Sequence, residues 1–151
     1  GNEVRLKGAY IIKANKVIYN KEGFVDEVEC TYDPKSKSGS GSEESKRKVK
    51  GTLHWVSSTK NIHITIREYD RLFEHPSPGQ FPPEEFYKIL NPNSMSVSTA
   101  RAELEVSRAK TGESFQFQRK GYYIMDRVSS TKNMTFNKTV SLRDNWKKQA
   151  K

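Results

Sequence analysis

Apolar and polar positions alternate from the first residues. Val4, Leu6, Tyr10 and Ile12 recur at every second position with Gly8 among them, while Arg5, Lys7, Ala9, Ile11 and Lys13 take the other side. A period of two marks a strand with one face inward. The pattern predicts a single strand from Val4 to Ile12, with Arg5, Lys7 and Lys13 on its outer face. Val17 to Tyr19 predicts a second strand, Asn20-Lys21-Glu22-Gly23 a turn, and Phe24 to Tyr32 the return of a hairpin. Asp33-Pro34 ends that run. The stretch from Lys35 to Lys46, with Ser-Gly-Ser-Gly-Ser at 38–42, predicts a mobile surface loop. The cations Lys46, Arg47, Lys48 and Lys50 then lead into a predicted strand from Thr52 to Val56.

Ile62, Ile64 and Ile66 alternate with His63, Thr65 and Arg67, the cleanest strand signal in the chain. Four of the six prolines lie between His75 and Pro83, which predicts a crossing between two sub-domains. Pro82-Pro83-Glu84-Glu85 opens a short helix with Phe86, Ile89 and Leu90 on one side, and Asn91-Pro92 closes it. Ser94 to Ser98 predicts a strand with Met95 and Val97 on one face. Arg101 to Lys110 reads both ways, because Ala102, Leu104 and Val106 alternate within a helix-tolerant composition. Phe115 to Met125 and Phe136 to Leu142 complete the strands. Residues 56–61, Val-Ser-Ser-Thr-Lys-Asn, recur as residues 128–133, an offset of 72. The repeat is either coincidence among polar loop residues or the trace of a duplication into two related antiparallel barrels. Both readings leave the class all-β.

At 151 residues the chain has room for one moderate core or two small ones, and 33% hydrophobic content suits a modest interior. No run approaches the ~20 apolar residues of a membrane-spanning helix, so no membrane partner is expected. Nor does the first segment read as a secretory leader. The chain starts on Gly1 and enters a strand pattern at once, which suggests a piece of a longer protein with Gly1 left from a tag. The single cysteine, Cys30, excludes an internal disulfide or a multi-cysteine zinc site. It is expected as a small buried strand residue in a reducing, cytoplasmic setting. Lys and Arg number 27 against 18 Asp and Glu, a formal charge of +9. Such an excess favours a polyanionic partner, because neutralised phosphates release condensed counterions.

Catalytic groups are scarce. His54, His63 and His75 share no metal-ligand spacing, Cys30 has no neighbouring histidine to activate it, and no nucleophile-elbow or glycine-rich phosphate loop occurs. No catalytic residue is therefore expected here.

Several blocks carry a resemblance. Residues 3–10 (EVRLKGAY), 30–33 (CTYD), 47–56 (RKVKGTLHWV), 69–73 (YDRLF), 90–92 (LNP), 115–122 (FQFQRKGY) and 136–146 (FNKTVSLRDNW) keep one order over nearly the whole chain. They resemble the C-terminal, anticodon-binding half of the glutaminyl-tRNA synthetase family. The resemblance implies two antiparallel β-barrels like those of a ribosomal protein that binds 5S rRNA, with one short helix. Residues 1–74 would form the distal barrel and 75–151 most of an incomplete proximal one. It also implies a parent class I enzyme whose Rossmann domain, on the same chain, charges glutamine-specific tRNA using ATP and magnesium. Neither the HIGH-type nor the KMSKS-type signature of that catalytic half occurs here. No cofactor is therefore expected in this part.

By the same resemblance Arg5 contacts the anticodon, with Lys7 beside it in place of an expected arginine. That exchange keeps the charge and loses the planar fork. Gln116 matches a position that reads the middle base, and Arg119 a neighbouring RNA contact. Strict alternation puts Arg119 on the face opposite Gln116, so a bulge or bend near Gly121 is required. Lys13, Lys46, Arg47, Lys48 and Arg143 are weaker candidates for phosphate. Competing readings are a related glutamyl-tRNA synthetase, a ribosomal-type binder of structured RNA, and a purely structural appendage.

Overall fold

The structure is a computed structural model that describes residues 2–130 and 133–142. It divides into two compact units, Gly1–Trp55 and Val56–Lys151. The first holds a four-stranded sheet and the second a five-stranded one, so the chain is all-β as expected.

In the first unit β1 (Glu3–Leu6), β2 (Ile11–Tyr19), β3 (Val25–Asp33) and β4 (Thr52–Leu53) lie in the order β3-β2-β1-β4. The single strand expected from Val4 to Ile12 is a hairpin instead. Gly8 takes φ +71, and Ala9 N donates to Leu6 O at 2.9 Å. Only glycine enters that left-handed region without a side-chain clash, so the chain reverses where the alternation runs on unbroken. The antiparallel register sets Arg5 opposite Ile11 and Glu3 opposite Lys13. Directly opposed residues share a face, so Arg5 stands on the side of Ile11, which is 1% exposed. The face expected to be outermost is the covered one.

Its cover is the segment predicted as a mobile loop. A short 3-10 turn, Pro34–Ser36, and a one-turn helix, α1 (Glu43–Lys46), give it local structure. Ser36 is fully buried, its Oγ accepting from Ile11 N at 2.8 Å and donating to Asp33 O at 2.6 Å. Ser42 caps α1 by accepting from Ser45 N, and its Oγ donates to Lys35 O. Serine hydroxyls do here what apolar side chains do elsewhere, which a reading of apolar content misses. The strand expected from Thr52 to Val56 shrinks to β4, paired parallel to β1. Cys30 is exposed rather than buried, because β3 pairs only with β2 and its residues from Val25 to Tyr32 are exposed.

The second unit orders β5 (Asn61–Tyr69), β6 (Met95–Glu103), β7 (Ser114–Phe117), β8 (Gly121–Met125) and β9 (Met134–Val140) as β6-β5-β9-β8-β7. Ile64, Ile66, Ala102, Tyr123, Met125, Met134 and Phe136 form its core, with Phe115 and Phe117 packed against it. Phe117 stacks on Tyr123 at 4.8 Å, and Phe115 meets Phe136 edge-on at 5.7 Å. The two repeat copies lead into β5 and β9, which lie side by side and parallel, with Ile64 opposite Met134. The strands that follow the two copies thus belong to one sheet. The proline-rich stretch lies inside this unit as well, between β5 and β6, which pair antiparallel along their full length. By pairing, β5 belongs with the second sheet, and the two compact units part between residues 55 and 56. The short helix expected after Pro82 is a 3-10 helix, Pro83–Ile89. The ambiguous segment gives its first three residues to β6, and Leu104–Arg108 form another 3-10 helix.

Candidate nucleic-acid interface

The hairpin of β7 and β8 gathers the candidates of the second unit. Phe115 and Phe117 face the core, so period two turns Ser114 and Gln116 outward, and Gln116 is exposed. After Phe117 the chain reverses, with Lys120 N donating to Phe117 O at 2.9 Å. Arg119 sits in this turn at φ +63, the one left-handed non-glycine among the described residues. Gly121 follows at φ +149, and a Cβ there would lie 2.7 Å from Val140 O. The bend expected near Gly121 is this turn. Arg119 and Lys120 are exposed and have no ion-pair partner among the described residues. A left-handed arginine is held against roughly 1–2 kcal/mol of steric preference, and such strain concentrates at functional sites.

Gln116 lies directly opposite Tyr122, with Phe117 opposite Gly121. Tyr122 is 44% exposed and stands opposite Val140 on its other side. Reading residues 115–125 as one strand hid this pair. Once Gln118-Arg119-Lys120 is recognised as a turn, Gln116 and Tyr122 fall face to face.

Under the hairpin, a polar network holds the neighbouring strands. Asp126 accepts from Asn137 Nδ2 and from Arg67 Nη1, the latter at 3.3 Å, and from Val128 N at 3.0 Å. The backbone N–H of Val128 and the amide of Asn137, helped by Arg67, hold the Asp126 carboxyl below its ordinary range. Lys138 Nζ meets Glu68 Oε1 at 2.7 Å, and this partner pushes the ammonium above its ordinary range.

In the first unit the expected outer face of cations does not form. Arg5 Nη1 donates to Ser36 O at 3.0 Å and Ser38 Oγ at 3.3 Å, and Nη2 to Ser45 O at 2.8 Å and Arg47 O at 3.3 Å. A guanidinium has five N–H donors, so Arg5 is largely committed to the loop. Lys7 lies in the turn after β1 with its side chain exposed, and its carbonyl accepts from Trp55 Nε1 at 3.0 Å. Lys13 is exposed on β2. Arg47 pairs with Asp33 at 3.2 Å and Glu3 at 3.3 Å, and Lys46 with Glu43 at 2.9 Å. Lys48 and Lys50 are exposed without an ion-pair partner among the described residues. Arg143 lies outside the described residues. Among those residues no group of three or more His, Cys, Asp or Glu could hold a metal.

Residues 52–126 match the family model described as tRNA synthetases class I (E and Q), anti-codon binding domain. The glutamine–tRNA ligases of Enterobacter sp. (strain 638), Salmonella paratyphi B and Salmonella newport are each 42% identical over 149 residues, 98% of this chain. The chain belongs to the anticodon-binding domain family of these class I synthetases. It spans 26% of the length of those relatives. An anticodon-binding domain needs fixed donors and acceptors that reach unpaired bases, with cations nearby for phosphate. The β7–β8 hairpin presents the exposed amide of Gln116 on a strand, and Arg119 with Lys120 at its tip. The first unit leaves Lys7, Lys48 and Lys50 exposed without an ion pair among the described residues and holds Arg5 within the fold.

Proposed function

We propose that this domain recognises the anticodon of glutamine-specific tRNA for a parent glutamine–tRNA ligase. The observation that carries the reading is identity of 42% across 98% of the chain with proteins of that name. In this reading ATP, magnesium and the joining of glutamine to tRNA belong to a Rossmann catalytic domain elsewhere in the parent chain. A cytoplasmic setting agrees with Cys30, a free and exposed thiol that a reducing compartment keeps as such.

Within the domain, Gln116 reads a base edge, since its amide both donates and accepts. Arg119 and Lys120 neutralise the adjoining backbone. Lys7, Lys13, Lys46, Lys48 and Lys50 contact phosphate. Arg5 and Arg47 act through the loop that they fasten; Arg5 keeps at most its Nε–H for a direct contact.

Binding of glutamine and glutamate tRNA transcripts tests the reading. A clear preference for the glutamine transcript supports it, and equal affinity favours a glutamyl-type parent. Equal affinity for an anticodon stem-loop and an unrelated hairpin favours a general structured-RNA binder.

A further inference from the structure

The outer side of β7 and β8 carries an aromatic ring that no sequence pattern singled out. Tyr122 and Tyr123 are neighbours with opposite fates. Tyr123 is 4% exposed and stacked under Phe117, whereas Tyr122 is 44% exposed. Among the described residues the Tyr122 hydroxyl makes no hydrogen bond; the side-chain bond at this residue goes to its backbone carbonyl, which accepts from Thr139 Oγ1 at 3.2 Å. The core therefore does not explain why a ring stands here.

Three features surround it. Gln116 faces it across the pair, a separation of about 4.5–5.5 Å between Cβ atoms. Val140 flanks it from β9 and is 58% exposed. The turn that leads into β8 carries Arg119 and Lys120, both exposed. An apolar face beside an amide reader, with cations at the strand end, matches an unpaired nucleotide part by part. The base needs a π-surface, its edge needs a donor and acceptor, and its phosphate needs a cation.

We propose that Tyr122 is a stacking platform for the unpaired nucleotide whose edge Gln116 reads, an inference that rests on the RNA-binding reading above. The ring fixes the plane of the base, and the neighbouring amide then meets its edge from the side. Stacking accepts any base, so Tyr122 contributes affinity and Gln116 contributes choice.

The test compares the wild-type chain with Tyr122→Leu and Tyr122→Phe, titrated with a glutamine anticodon stem-loop over a range of salt. Tyr122→Leu should lower affinity about tenfold with the salt slope unchanged, because the substitution removes a stacking surface and no cation. Tyr122→Phe should stay within about twofold, since the ring face survives. Tyr122→Trp adds a reporter whose fluorescence, taken as the difference from wild type, should be quenched on binding. If wild type binds while Tyr122→Leu binds equally well, or the new tryptophan is not quenched, Tyr122 lies off the RNA path. The ring would then be a protein contact. If wild type binds no stem-loop, the RNA-binding reading itself fails and takes this inference with it.

Discussion

At the scale of single residues, the turn from Gln118 to Gly121 concentrates backbone demands. Arg119 holds φ +63, so Arg119→Gly should be more stable than Arg119→Ala by about 1 kcal/mol, although both remove the same cation. Denaturation midpoints of the two variants decide this, and equal midpoints would mean that the left-handed conformation is not kept in solution. Gly121→Ala should destabilise by more than about 1 kcal/mol, because its Cβ would lie 2.7 Å from the carbonyl oxygen of Val140. Gln116→Ala should weaken binding to the cognate anticodon loop by about 1–2 kcal/mol, since a base edge loses its partner. Stability should be unaffected, because Gln116 is exposed and its pair Tyr122 is not part of the core. Unchanged discrimination between anticodons in this variant would remove Gln116 from the recognition site.

At the scale of elements, the loop over β1 and β2 is held by polar contacts. Ser36→Ala deletes a fully buried hydroxyl that serves Ile11 N and Asp33 O. It should cost about 1–3 kcal/mol, the penalty for leaving a buried backbone donor unmade. Arg5→Lys keeps the charge but not the fork that reaches four acceptors, so limited proteolysis should cut residues 38–47 faster than in wild type. Cleavage at the wild-type rate would show that the loop holds without Arg5. These interactions explain what the sequence could and could not reveal. Strand alternation was legible wherever the core is apolar, as in Ile62, Ile64 and Ile66, and in Phe115 and Phe117. It misled where a turn preserves parity, as at Gly8 and at Gln118-Arg119-Lys120. It also failed where serines replace apolar cover, as at Ser36. Gln116 and Arg119 were singled out only through the resemblance, and the bend expected near Gly121 is the turn between β7 and β8. Tyr122 was not, because its partner is set by the register across that turn.

At the scale of the molecule, charge and protonation govern behaviour. The formal charge is +9, and binding should weaken steeply with salt. Replacing Lys46, Lys48 and Lys50 together by neutral residues should flatten the salt slope by about 0.7–0.9 for each phosphate left without its cation, with anticodon preference retained. An unchanged slope would place that run away from the RNA. Acid should act on the second unit through Asp126. Its carboxyl is held below the ordinary range, so its stabilisation is present above an unfolded value of about 3.9 and is lost as pH falls through the lower folded value. Asp126→Asn should therefore be less stable than wild type near neutrality, with the gap closing in acid. A gap constant across pH would deny the linkage.

The central claim is that rigid sheets present side chains to an unpaired anticodon. Titrating the chain with full-length glutamine tRNA, and with the same tRNA carrying a changed middle anticodon base, tests it most directly. The account predicts tight binding to the first and at least about tenfold weaker binding to the second, the discrimination given by one base contact of about 1.4 kcal/mol. Equal affinity for the two tRNAs would contradict it.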